Sequence, residues 1–172
     1  MGYTGGTTVD PTYHAIGDHT EALQIDFDPQ ISSYEALLEK IWAGHDPTRA
    51  RASTQYRSAV WCHSERQLDI ARRTGLEAAR QREGELATPV LPARPFYRAE
   101  DYHQKYRLRG DRVLLDELRE RYGSDRAMVD ATASARINGL LSGWSRRQHL
   151  EELLPRLGLS EAGAARLLAR AP

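Results

Sequence analysis

Three prolines, Pro89, Pro92 and Pro95, forbid a regular helix between Thr88 and Phe96 and leave that stretch as edge strand or loop. They divide the chain. Ahead of them strand-like and helix-like segments follow one another; from Asp125 onward the apolar spacing is helical alone. That order is the order of an α/β (α+β) domain with a helical extension. The expected boundaries are residues 1–122 for the domain and 123–172 for the extension, packed on the domain or on a partner.

In the first part, Leu23, Ile25 and Phe27 alternate with Gln24 and Asp26, the period-two pattern of a half-buried strand that Asp28-Pro29 ends. Ser32 with Glu35 forms a capping box for a helix from about Ser33 to Ala43, whose stripe is Leu37, Leu38, Ile41 and Trp42. His45 to Thr48 reads as a turn, and Tyr56 to Trp61 as a buried strand. Ser64 with Gln67 signs a further helix through Leu68, Ala71 and Leu76. The opening Gly2-Tyr3-Thr4-Gly5-Gly6 reads as a glycine loop or a frayed terminus. After Gly110 the spacing of Val113, Leu114, Leu118 and Tyr122 is helical. Met128 to Leu141 predicts one helix, Ser145 with Gln148 a second that ends at Gly158, and Ser160 caps a third.

Charge excludes several classes. The 172 residues carry 24 Lys+Arg against 24 Asp+Glu, too balanced for a strongly basic nucleic-acid-binding chain. The local cluster Arg49, Arg51 and Arg57 comes with no binding motif, so no nucleic-acid partner is expected. No 18-residue apolar run exists to span a bilayer, and Met1 to Thr8 does not have the pattern of a secretory signal. A cytoplasmic protein without a membrane partner is the expectation. The single cysteine, Cys62, excludes an internal disulfide and any mechanism needing two thiols from this chain. No Cys or His cluster has metal-ligand spacing and no phosphate-binding loop occurs, so neither metal nor cofactor is expected.

Candidate chemistry gathers on few residues. Glu21, just after His19, is a carboxylic acid able to donate a proton. Tyr3, Tyr13 and Tyr56 are hydroxyl donors for a polar oxygen, and tyrosines serve equally as core and rim residues. His45 with Asp46, and Asp101 with His103, read as orienting pairs. Cys62, beside His63 and ahead of a helix start, is a conceivable reactive thiol.

The segments Gly2–Gly6, Asp10–Tyr13, His19–Glu21, Phe27–Pro29, Ile31–Tyr34, His45–Thr48, Thr54–Ala59 and Ala99–Gln104, in this order, resemble the peptide methionine-S-sulfoxide reductases of the A type over about residues 2–107. The resemblance implies a ferredoxin-like sandwich. It implies a site in which a cysteine thiolate attacks the sulfoxide sulfur while an acid, here Glu21, and two hydroxyls, here Tyr3 and Tyr56, hold and protonate its oxygen. His19, His45, Asp46, Asp101, His103 and Arg51 would line or orient that pocket.

Departures limit the transfer. The family's glycine-cysteine-phenylalanine-tryptophan motif does not occur in residues 1–172, and Cys62 matches no catalytic position. Arg51 stands where the family has an aspartate, and the connection from Tyr13 to His19 is shorter than usual. The expectation is therefore a divergent relative that keeps the oxygen-binding half of the pocket, lacks the fold's first strand and helix, and is no autonomous thiol reductase. Its partners would be a small polar or sulfur-containing ligand and a protein or second subunit supplying the absent element. Alternatives are a reductase whose catalytic segment is missing or lies on another chain, with thioredoxin as its partner, and a non-catalytic interaction module.

Overall fold

The computed structural model describes residues 1–143 and 147–170. It is a mixed α/β fold in two compact units, Met1–Glu100 and Asp101–Pro172.

The first unit is built around β1 (Gly2–Thr4), the middle strand of an antiparallel sheet between β2 (Thr20–Ala22) and β5 (Tyr97–Arg98). The opening segment is therefore central sheet and not a loop. Its glycine content is a packing demand: a Cβ on Gly2 would run into the Tyr97 carbonyl and the Phe96 ring. The register sets Tyr3 opposite Glu21 on one side and Tyr97 on the other. A second sheet pairs β3 (Val60–Cys62) in parallel with β4 (Val90–Pro92), so the prolines fall on a short two-stranded ribbon and its flanks.

Two helices cover β3. In α1 (Tyr34–Ala43) the cap is Ser33, whose hydroxyl accepts from Ala36 N–H at 3.1 Å, one residue later than the Ser32 box predicts. In α2 (Glu65–Arg80) the cap is Ser64, as the sequence predicts, and the Gln67 side chain reaches back to His63 N–H at 2.8 Å. Leu38, Trp42, Val60, Cys62, Leu68 and Ala71 form the core between them. Gly75 lets Trp42 approach, since a Cβ there would lie 3.1 Å from the indole.

The predicted strand over Leu23 to Phe27 does not form. β2 ends at Ala22, and Leu23 and Ile25 are 70% and 50% exposed. Alternation marks a strand only where a second strand supplies ladder partners and a cover, and among the described residues none lies beside this segment.

The second unit is helical: a short 3-10 turn at Asp101–His103, then α3 (Tyr106–Arg109), α4 (Arg112–Tyr122), α5 (Asp125–Asp130), α6 (Thr132–Leu140), α7 (Arg147–Leu153) and α8 (Glu161–Arg170). The single helix predicted from Met128 to Leu141 is two. Ala131 is extended at φ −71° and ψ 136°, and this turn lets Met128 and Val129 of α5 share one core with Ile137 and Leu140 of α6. That core also takes Leu108, Leu114, Leu118, Leu157 and Leu167. Ser160 caps α8 through Gly163 N–H, as predicted, whereas the predicted helix start at Ser145 lies outside the described residues.

Asp111 caps α4 and meets Arg166 of α8 at 2.9 Å; Asp125 is held by Arg109 at 2.6 Å and Arg119 at 2.7 Å. No helix among the described residues is long and apolar enough to cross a membrane.

Candidate active site

The site is assembled in the first unit by a strand and a loop that clasp each other. Glu21 N–H donates to the Gln55 carbonyl at 3.0 Å, and the Gln55 amide donates back to Glu21 Oε1 at 2.8 Å. One residue thus anchors both the backbone and the carboxylate of Glu21 and sets the adjoining Tyr56 beside it. Glu21 and Tyr56 face a cavity of about 950 Å³ that His45, Arg51, Tyr34 and Phe27 also line. Four residues that the sequence singles out, Glu21, Tyr56, His45 and Arg51, therefore share one space.

Tyr56 is half exposed and its hydroxyl lies 3.5 Å from that of Tyr13. The phenol is pushed up from its ordinary value by that contact first, then by partial burial and by the charge on Glu21, with Gln55 opposing. Tyr3 takes another direction. It is 1% exposed, and its hydroxyl donates to Glu100 Oε2 at 2.6 Å, while Glu100 Oε1 accepts from Tyr13 N–H at 2.9 Å. Glu100 is accordingly a hub tying Tyr3 to the Tyr13 turn. The sequence carries it only inside the Ala99–Gln104 segment, and no local signal could join it to residues about ninety positions away.

His19 is buried beneath the glycine turn. Its Nδ1 accepts from Gly6 N–H at 3.3 Å and its Nε2 donates to the Thr8 carbonyl at 2.8 Å, which makes it a neutral imidazole that shapes the loop. Asp18 extends this work: its carboxylate accepts from the backbone and hydroxyls of Thr7 and Thr8, which hold it far below the usual carboxylate range. His45 donates from Nδ1 to the Ile41 carbonyl at 2.8 Å and meets the Thr88 hydroxyl through Nε2. Asp46 bonds to other partners, accepting from the Thr48 hydroxyl and N–H, and these bonds lower its pKa with help from Arg82 and Arg49. Asp101 and His103 fall in the 3-10 turn of the second unit.

Cys62 is 3% exposed in the core beneath β3, with Sγ 3.4 Å from the Tyr34 hydroxyl. Burial pushes its thiol up, against smaller opposing effects of Tyr34 and Arg72. Among the described residues no group of three or more His, Cys, Asp or Glu could hold a metal ion. What the cavity presents is the Glu21 carboxyl and the Tyr56 side chain on one wall.

A family model described as peptide methionine sulfoxide reductase matches residues 1–128. The chain is 37% identical over 145 residues to a peptide methionine sulfoxide reductase of Drosophila melanogaster, covering 83% of this chain and 58% of that one. It is 42% identical over 119 residues to peptide methionine sulfoxide reductase MsrA of Vibrio vulnificus, covering 62% and 57%, and 34% identical over 134 residues to peptide methionine sulfoxide reductase A1 of Arabidopsis thaliana, covering 73% and 66%. The chain thus spans less than two thirds of the length of each.

Proposed function

Because the chain belongs to the peptide methionine sulfoxide reductase family, we propose that Glu21 and Tyr56 form the oxygen-binding half of a sulfoxide site, in a divergent chain whose residues 1–172 are not an autonomous thiol-dependent reductase. The observation that carries this reading is the Gln55 clasp, which holds the Glu21 carboxyl and the Tyr56 hydroxyl toward one cavity.

Sulfoxide reduction places growing negative charge on a poorly basic oxygen as a thiolate adds to sulfur and the S–O bond weakens. A carboxylic acid on Glu21 supplies the proton, and the Tyr56 hydroxyl donates a hydrogen bond to the same oxygen. Tyr3 and Tyr13 do not line this cavity: the Tyr13 hydroxyl lies 3.5 Å from that of Tyr56, and Tyr3 is buried against Glu100. Cys62, buried and held as a thiol, is not the nucleophile in this reading. Thioredoxin enters this reading only where a thiol other than Cys62 is supplied. Arg51, which lines the same cavity, adds a cation to it.

The test is calorimetric titration with the (S) and (R) epimers of N-acetyl-methionine sulfoxide N-methylamide, a neutral peptide mimic. The expected result is measurable binding of the (S) epimer that Glu21→Ala weakens about tenfold, the scale of one strong hydrogen bond. Binding of neither epimer, or binding that Glu21→Ala leaves unchanged, would refute the reading and leave an interaction module.

A further inference from the structure

The loop that carries Gln55 is pinned to β2 through its main chain. Thr20 Oγ1 donates to the Thr54 carbonyl at 2.9 Å, and Arg57 Nε donates to that same hydroxyl at 2.8 Å. Glu21 N–H donates to the Gln55 carbonyl at 3.0 Å, and within the loop the Ser53 hydroxyl accepts from Tyr56 N–H at 3.3 Å. These bonds fix the chain on either side of Gln55, and none of them uses the Gln55 side chain. The amide is spent instead on Glu21 Oε1, at 2.8 Å.

Charge decides which end of the amide faces the carboxyl: the N–H donates to a carboxylate, whereas the amide oxygen would be repelled by it. The Tyr56 phenol agrees. Tyr13, burial and the Glu21 charge push it up while the Gln55 side chain opposes them, and an amide draws a phenol down by donating toward its oxygen. The position of the acid proton follows. In a neutral carboxyl group the carbonyl oxygen is the good acceptor and the hydroxyl oxygen is the donor. With Oε1 held as acceptor, a proton on Glu21 belongs on Oε2, the oxygen left for the cavity that Glu21 lines. Without the amide the two oxygens are equivalent and the terminal torsion is broad, so the proton faces the cavity in only a fraction of molecules.

We propose that Gln55 is a positioning residue of the oxygen site: its amide commits Glu21 Oε1 to the loop, so that the acid proton is carried on Oε2 toward the bound oxygen. This role rests on the sulfoxide reading above.

Gln55→Met keeps the side-chain length and the backbone clasp and removes the donor. By NMR of ring-labelled tyrosine, with Tyr56→Phe assigning the signal, the Tyr56 phenol should titrate higher in Gln55→Met than in the parent; an unmoved or lowered titration would overturn the amide's orientation and the proposal with it. By calorimetry with the (S) epimer of N-acetyl-methionine sulfoxide N-methylamide, Gln55→Met should weaken binding about tenfold in the parent and less than about twofold in a Glu21→Ala background, the non-additivity of a coupled pair. Equal losses in both backgrounds would overturn the proposal, because a residue that only supports the fold acts whether or not Glu21 is present. Gln55→Glu supplies the rescue. Its carboxyl donates to Oε1 only when protonated, so its deficit against the parent should shrink as pH falls from about 8 to about 5, while that of Gln55→Met stays constant; a deficit in Gln55→Glu that ignores pH also overturns the proposal. Circular dichroism confirms the fold of each variant. Binding of neither epimer to the parent refutes the sulfoxide reading and with it the role in oxygen binding, and a raised Tyr56 titration then upholds the amide geometry alone.

Discussion

Asp111→Ala should destabilise the helical unit by about 2 kcal/mol, and Asp111→Asn by about half as much. Asp111 is 1% exposed and does two separable things: Oδ1 accepts from Leu114 N–H at 3.3 Å as the cap of α4, and Oδ2 meets Arg166 at 2.9 Å and Arg170 at 3.4 Å. A cap of this kind contributes about 1 kcal/mol, and asparagine caps nearly as well as aspartate. The two arginine side chains are 43% and 51% exposed, so water screens the pairs and rehydrates both cations when the partner is removed; about 0.5 kcal/mol each is appropriate, not the several expected of a fully buried pair. Alanine loses the cap and the pairs, whereas asparagine loses only the pairs. Urea unfolding followed by helical circular dichroism, with hydrogen exchange locating the loss to α4 and α8, measures both. Equal losses for Ala and Asn would mean that the cap contributes nothing. A loss above about 4 kcal/mol for Asn would mean that the charge is far less screened than this geometry implies.

Tyr13→Phe should lower the Tyr56 phenol toward its ordinary value near ~10, because the raising contact is lost; near-ultraviolet phenolate absorbance reads it, and an unmoved titration would show that the pair is not formed. Cys62 should react with a disulfide reagent on the order of a hundredfold more slowly than a free peptide thiol, and at the ordinary rate in urea; fast labelling of folded protein would contradict its burial. The Asp125 carboxyl is held below its usual value by Arg109 foremost and by Arg119. Its folded pKa thus lies below its unfolded one, and its stabilisation is present above about pH 4 and lost as pH falls further. Asp125→Asn should flatten the acid limb of the stability profile, and an unchanged limb would refute the assignment.

How much of this was legible in the sequence follows physical range. The Ser64 and Ser160 caps were readable because their partners lie three residues away. Leu23 to Phe27 misled because alternation reports a chemical pattern, while a strand requires a neighbour that the pattern does not contain. Gly2–Thr4 was missed for the converse reason: Gly2 makes room for Phe96 and Tyr97, more than ninety residues on, and the glycine-rich start locally resembles a loop. In the site, motif order marked Glu21 and Tyr56. Gln55 passed unnoticed within the motif that carries Tyr56, although its backbone and side-chain bonds to Glu21 place the acid. The Glu100 bond to Tyr3 and the orphan indole N–H of Trp61 exist only once the sheet is folded.

The most direct test of the central claim is a sulfoxide-reduction assay on residues 1–172 with dithiothreitol and both epimers of a methionine sulfoxide substrate, run beside Cys62→Ser. The account predicts folded protein that binds the (S) epimer and turns over neither, with the variant indistinguishable from the parent. Turnover of the (S) epimer that disappears in Cys62→Ser would contradict it, since the buried thiol would then be the nucleophile and the chain a reductase in its own right.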